Sequence, residues 1–239
     1  MKRLGTEAWY EISARELAIE IGEEDNISSA SALQKARGIK YGDSSYQNSE
    51  LEERLLGLKV SSLESFWQEF FLQNTLLVDN KIIISIGGNS GLEMKAMPLS
   101  TAKLTINTDI SFPALKRGKD QNNGNLLQVD GNHISFAKNS ADIVFSLRTL
   151  IVFREQEQKD VLKELFRIIS PGGKLVFSVP GGFLNKSGKI IHGQLVNGSV
   201  DKKKPIKDQD QLNQLASKTG FTFKKNDNRG IELFSIFQK

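Results

Sequence analysis

Residues Lys81–Gly91 read KIIISIGGNSG. Lys81–Ile86 is a nearly continuous apolar run, the pattern of a strand buried on both faces of a parallel sheet. It runs into Gly87, Gly88, Asn89, Ser90 and Gly91. A turn this poor in bulky side chains lets backbone approach a ligand closely. The turn would lie at the carboxyl end of the strand, where open α/β sheets bind their ligands.

The pattern downstream agrees. Further strands are expected at 103–108 (KLTINT), 125–129 (NLLQV), 141–147 (ADIVFSL) and 174–180 (KLVFSVP). Residues 157–170 place Val161, Leu162, Leu165, Phe166 and Ile169 on one helical face, and PGG (171–173) is expected to stop that helix. A helix over 208–220 ends at Gly220. FTFKK (221–225) and IELFSIF (231–237) close the chain as a hairpin. Strands alternating with helices imply right-handed crossovers and a doubly wound sheet.

Upstream, the sequence reads as helical. In SSLESFWQEFFLQNTLL (61–77), Ser61 and Glu64 fit a capping box, and Leu63, Phe66, Trp67 and Phe70 form one apolar stripe that must be buried. Earlier helices are expected near 7–21 and 50–58, with a loop over 38–49. The expected division is a helical N-terminal cap over 1–78 and a ligand-binding domain over 79–239.

Of the 239 residues, 38% are hydrophobic and 25% charged, as in a soluble globular protein. No run of 18 apolar residues suggests a membrane span, and the charged N-terminus is unlike a secretory signal. A cytoplasmic address is the expectation. Without cysteine there are no disulfides, thiolate catalysis or Cys-bound metals, and no histidine or carboxylate cluster suggests a metal site. Residues 1–80 hold 8 Lys/Arg against 14 Asp/Glu, a net −6, and residues 81–239 hold 24 against 14, a net +10. The basic part could attract an anionic ligand or nucleic acid, or be only a solubilised surface.

Four segments together resemble a class I S-adenosylmethionine-dependent methyltransferase of the small "type 11" kind. They are IIISIGGNSG, NTDIS (107–111), LLQVDGNHISFAKNSADIVFS (126–146) and LKELFRIISPGGKLVFSVP (162–180). The resemblance implies an α/β, Rossmann-like fold: a doubly wound, seven-stranded, mostly parallel sheet behind a helical N-terminal cap. It implies S-adenosylmethionine as cofactor. Gly87, Gly88, Asn89 and Gly91 would receive its amino-acid end. Asp109 would accept from the ribose diol, and Ile110 would pack on the adenine. Asp130 would accept from the adenine amino group beside the Gly131 amide, and Leu147 would line the floor. Asp109 and Asp130 could instead be strand-end caps. A nicotinamide dinucleotide domain fits less well, because GGNSGLE is out of register with G-x-G-x-x-G.

Two positions depart from the family loop: Ser85 stands at its acidic position and Asn89 at its middle glycine. Asn tolerates a left-handed backbone better than most residues. The first crossover helix is cut short before Pro98. No catalytic group is singled out, and many methyl transfers to a nucleophilic atom need only positioning. His133 and His192 lie on the ligand side or in surface loops. DKKKPIK (201–207) could contact phosphate or be solvated. Trp9, Tyr10, Tyr41 and Tyr46 are candidates to line a pocket for a small-molecule acceptor. A non-catalytic binding or scaffold protein and an RNA methyltransferase are the alternative readings.

Overall fold

The computed structural model describes residues 60–120, 124–180, 183–184, 190–191, 194–196, 199–201, 209–229 and 232–239. Seven strands form the central sheet: β1 (Ile82–Ile86), β2 (Leu104–Asp109), β3 (Leu126–Gln128), β4 (Ala141–Leu147), β5 (Ile169–Pro180), β10 (Thr222–Asn228) and β11 (Glu232–Gln238). Their spatial order is β10-β11-β5-β4-β1-β2-β3. Pairing is parallel except along β11, which runs antiparallel to both β5 and β10. The short strands β6 (Phe183–Leu184), β7 (Ile190–Ile191), β8 (Gln194–Val196) and β9 (Ser199–Asp201) form two small hairpins. The order reverses between β1 and β4, so the loop after β1 opens at the switch point. The doubly wound, mostly parallel seven-stranded expectation holds.

Five helices flank the sheet among the described residues: α1 (Val60–Gln73), α2 (Leu92–Ala96), α3 (Phe112–Asp120), α4 (Glu155–Ile168) and α5 (Gln209–Thr219). β4 alternates its side chains between two cores. Val144 faces the core built with Leu162 and Leu165 of α4 and Leu212 of α5. Ile143, Phe145 and Leu147 face the core built with Trp67, Phe70 and Phe71 of α1 and Met94 of α2. Of the predicted stripe, Trp67 and Phe70 are therefore buried on the sheet and Phe66 is partly buried beside them. The Phe70 ring centroid lies 4.4 Å from that of Phe234, and Phe71 stacks on Phe145 at 5.7 Å.

Some boundaries differ from the sequence reading. Helix α1 is described from Val60, so Ser61 lies within it rather than capping it. It ends at Gln73, because Thr75 takes a left-handed backbone (φ 50°). Lys225 and Lys174, from across the fold, donate to the Gln73 and Thr75 carbonyls at 2.9 Å. PGG does not stop α4. The helix ends at Ile168, and Ile169 is already extended and paired with Ala141. The register then jumps to Ile143 opposite Lys174, so Pro171–Gly173 forms a bulge inside β5. Burial of Ile169 drives the earlier ending, and Gly172 (φ 79°) supplies the turn. Helix α2 has only five residues, as Pro98 implied: Met97 is extended, the conformation favoured before proline.

The N-terminal helices and loop expected over 7–58, with Trp9, Tyr10, Tyr41 and Tyr46, lie outside the described residues, as do His192 and Lys202–Lys207. Among the described residues no helix is long and apolar enough to cross a membrane.

Candidate functional site

The loop after β1 is built by backbone sterics. Gly87 (φ 71°), Asn89 (φ 51°) and Gly91 (φ 80°) all take the left-handed region. Gly88 is glycine for lack of space: a Cβ there would lie 1.9 Å from Asn107 Oδ1 and 2.5 Å from Ser85 Oγ. A Cβ on Gly87 would lie 2.4 Å from Thr149 Cγ2. Helix α3 also presses on the loop. Gly118 faces the Ser90 carbonyl so closely that a Cβ would lie 2.1 Å from it. The glycines at 87, 88 and 118 are thus demanded by the chain's own packing.

Hydrogen bonds direct the loop's polarity. Gly88 N–H donates to Thr108 O at 2.8 Å, and Gly91 N–H to Gly88 O at 2.9 Å. Asn89 N–H donates to Asp109 Oδ2 at 2.8 Å. These three loop N–H groups are therefore held by internal acceptors. What the loop has left over is acceptors: Asn89 Oδ1 and Asn107 Oδ1 are buried and take no hydrogen bond from the described residues. Asn107 uses its Nδ2 to hold Asn89 O at 2.9 Å.

Asp109 ends β2 beside this loop. Its other oxygen accepts from Ser111 N–H at 2.8 Å. Burial pushes its carboxyl above the ordinary carboxylate range, against the pull of the Ser111, Asn89 and Ile110 amides and of Arg117. Each carboxylate oxygen can still accept a second bond. Asp109 is thus a strand-end cap with acceptor capacity to spare. Ile110 follows it, and its carbonyl holds Gln128 Nε2 at 2.9 Å.

Asp130 and Gly131 follow β3, alongside: Val129 N–H donates to Asp109 O at 3.0 Å. Asp130 Oδ1 accepts from Asn132 N–H at 2.9 Å, an Asx turn. Gly131 is buried against Phe153, where a Cβ would lie 3.0 Å from the ring. Leu147 ends β4 and is buried in the core under α1 and α2. Gly87, Gly88, Asn89, Gly91, Asp109, Ile110, Asp130, Gly131 and Leu147 thus share the carboxyl edge of β1–β4. His133 is exposed and lines a groove of about 480 Å³ with Asn132, Asp160, Lys163 and Glu164, rather than meeting the glycine loop. Among the described residues no group of three His, Asp or Glu is arranged to hold a metal.

Sequence reasoning missed Asn107, Thr149, Arg148, Glu93 and Glu232. Thr149 Oγ1 donates to Leu147 O at 2.9 Å and contacts Gly87 O at 3.3 Å, joining the ends of β4 and β1. Arg148, with a left-handed backbone (φ 53°), pairs with Glu93 of α2. Asn107 was within reach of sequence, being two residues before Asp109 in a predicted strand. The others carry no local signal.

With its N–H groups at 88, 89 and 91 taken up internally and a carboxylate beside it, the loop suits a ligand that brings donors and positive charge. A pyrophosphate would need loop N–H groups, and three of them are taken internally. Asp109, whose two oxygens each keep a lone pair beyond the bonds from Asn89 and Ser111, suits a ligand bearing hydroxyls.

Residues 84–177 match the family model described as a methyltransferase domain. Among solved structures, an S-adenosylmethionine-dependent methyltransferase of Thermotoga maritima is 20% identical, with TM-score 0.56 over 80% of this chain and 95% of that one. One from Aquifex aeolicus is 13% identical, with TM-score 0.55 over 76% and 98%. One from Methanosarcina mazei is 18% identical, with TM-score 0.53 over 70% and 96%. These likenesses show the fold. Comparison with curated proteins gave no match. On the family match over residues 84–177, the strand order and the four ordered motifs, this part of the chain is similar to a class I S-adenosylmethionine-dependent methyltransferase domain, and S-adenosylmethionine is the cofactor that goes with such a domain.

Proposed function

We propose that the protein is an enzyme that transfers a methyl group from S-adenosylmethionine to a small-molecule acceptor. The observation that carries the reading is the polarity of the β1 loop: its N–H groups at 88, 89 and 91 are satisfied internally, and the Asn89 and Asn107 amide oxygens take no hydrogen bond among the described residues. Asn89 Oδ1 takes over the acceptor role that a carboxylate at Ser85 would have had. Gly87, Gly88 and Gly91 keep the backbone close, and Asp109 accepts from the ribose diol. Ile110, Asp130, Gly131 and Leu147 line the adenine and methionine ends. When bound, the cofactor supplies an electrophilic methyl group; the chain's residues orient it and exclude water. The choice of acceptor is assigned to residues outside the 84–177 match.

Calorimetry with S-adenosylmethionine tests this reading. Binding that weakens in N89A is expected. No heat and no thermal shift at millimolar cofactor overturns the reading and leaves the non-catalytic scaffold, for which Ser85 and Asn89 are the support.

A further inference from the structure

Four polar side chains meet beside the loop, at the carboxyl ends of β4 and β5, on the face that carries α1 and α2. Glu93 lies in the first turn of α2, two residues past Gly91. Arg148 follows β4, Ser178 lies near the end of β5, and Glu232 opens β11 opposite Pro180. Arg148 Nη2 donates to Glu93 Oε1, and Ser178 Oγ donates to Glu232 Oε1. Arg148 Nε stands 3.8 Å from the same Glu232 oxygen. Glu232 and Ser178 are buried, while the Arg148 and Glu93 side chains keep partial exposure, so the cluster has an open side.

The backbone is bent to make this meeting. Arg148 adopts the left-handed region, and its N–H donates to both Ser178 O and Ser178 Oγ at 3.1 Å. A non-glycine residue held there costs free energy and persists only where its surroundings dictate it, a pattern common at functional sites.

We propose that Glu232 is the proton acceptor of this site, and that the methyl acceptor is a small molecule that must lose a proton as it is methylated: a hydroxyl, a thiol or an ammonium. The proposal rests on the methyltransferase reading above. Glu232 Oε2 takes no hydrogen bond from the described residues, so one oxygen is left to receive a proton. Arg148 sits nearer to Glu93 than to Glu232, so its charge is largely taken up by Glu93 and does not fully hold Glu232 ionised. Burial first, and then the Glu93 charge, raise the Glu232 carboxyl to about 7, against the pull of Arg148 and Ser178. A carboxylate poised near neutrality is matched to general-base work. The acceptor's heteroatom bonds to the methyl carbon as its hydrogen leaves as a proton to Glu232. The electron pair of the broken carbon–sulfur bond stays with sulfur. The proton then returns to water through the open Arg148–Glu93 side.

The test uses the full chain and its E232Q, E232D and S178A variants. Calorimetry first measures S-adenosylmethionine binding. Release of S-adenosylhomocysteine is then followed with phenols, alkylamines, thiols and carboxylic acids across neutral pH. Expected are unchanged cofactor affinity in E232Q, turnover of a proton-bearing class, and a rate that rises with pH about a midpoint near 7. E232Q should lower the rate about 10²–10⁴-fold, with partial return in E232D. S178A should move the midpoint to higher pH, because the lost hydrogen bond favoured the carboxylate; a merely structural role would leave it in place. A cofactor-loaded E232Q that keeps the wild-type rate overturns the proposal and spares the methyltransferase reading. So does methylation confined to carboxylates. If E232Q fails to fold, an S178A midpoint equal to wild type overturns the proposal. A wild-type chain that binds no cofactor, or that turns over no acceptor class, overturns the enzyme reading together with it.

Discussion

The backbone N–H of Asn89 donates to Asp109 Oδ2 at 2.8 Å, tying the loop after β1 to the end of β2. The carboxylate that would bind the ribose diol is therefore also the group that shapes the glycine loop. Loss of cofactor binding in D109A alone would not separate the two roles. D109N keeps one carbonyl acceptor but leaves one of two buried backbone N–H groups, Asn89 or Ser111, without a partner. We expect it to lose about 1–3 kcal/mol of stability in denaturant melts and to bind cofactor more weakly. Wild-type stability in D109N would refute the structural half of this assignment.

Gly88 packs where no side chain fits. In G88A the new Cβ meets Asn107 Oδ1 and Ser85 Oγ far inside van der Waals contact. Overpacking of this kind costs about 1–3 kcal/mol, and here it also displaces the Asn107 amide that holds Asn89 O. Thermal unfolding should show a lowered Tm, with cofactor affinity falling more than the melt alone accounts for. A variant with the parent's Tm would mean that Asn107 moves freely.

Asn89 holds a left-handed backbone without glycine. N89G removes that strain and an unpaired buried oxygen, so stability should hold or rise by up to about 1 kcal/mol. Cofactor affinity should nonetheless drop if Asn89 Oδ1 accepts from the ligand, so opposite signs in melt and calorimetry are the expected result. Tighter binding in N89G would show that the side chain obstructs the site.

Protonation of Glu232 is favoured by folding, because its carboxyl lies at about 7 against an ordinary 4.5. Between those values the native chain holds more protons than the unfolded one. Stability is fully present below the lower value and falls as pH rises through the upper one. The fall from Glu232 is about 3 kcal/mol, and burial of Asp109 adds a change of the same sign. Denaturant melts across this window should show the decline, and E232Q should flatten its Glu232 part. A slope unchanged in E232Q would contradict the assignment.

Trp67 anchors α1 to the sheet. It is 2% exposed and meets Phe70, Phe145 and Phe234 edge-on. W67A should cost about 3–5 kcal/mol and loosen α1 in hydrogen exchange before β4 or β5 open. Equal protection of α1 in the variant would show that the other rings suffice.

The sheet was legible because its signal is local. Ile82–Ile86 and Ala141–Leu147 are short, mostly apolar runs broken only by Ser85, Asp142 and Ser146, the signature of a strand buried in a parallel sheet. The loop was legible for the same reason: Gly87, Gly88 and Gly91 sit within five residues. The PGG bulge was misread because Pro and Gly punctuate helix ends and strand bulges alike. Only the pairing of Ile169 with Ala141 distinguishes the two.

By itself, the sequence determined the order along the chain of the seven sheet strands, the apolar faces of the helices over 61–73, 157–168 and 209–219, and the glycine loop after β1; helix α3 and the short strands β6–β9 it did not mark. What it determined follows from periodicity and backbone sterics, which act between near neighbours. The tertiary structure alone decided which polar groups meet: Asn89 with Asp109, Arg148 with Glu93, and Ser178 with Glu232, separated by 20, 55 and 54 residues. Such pairs carry no periodic mark, because a charge or an amide finds its partner through the topology of the sheet rather than along the chain.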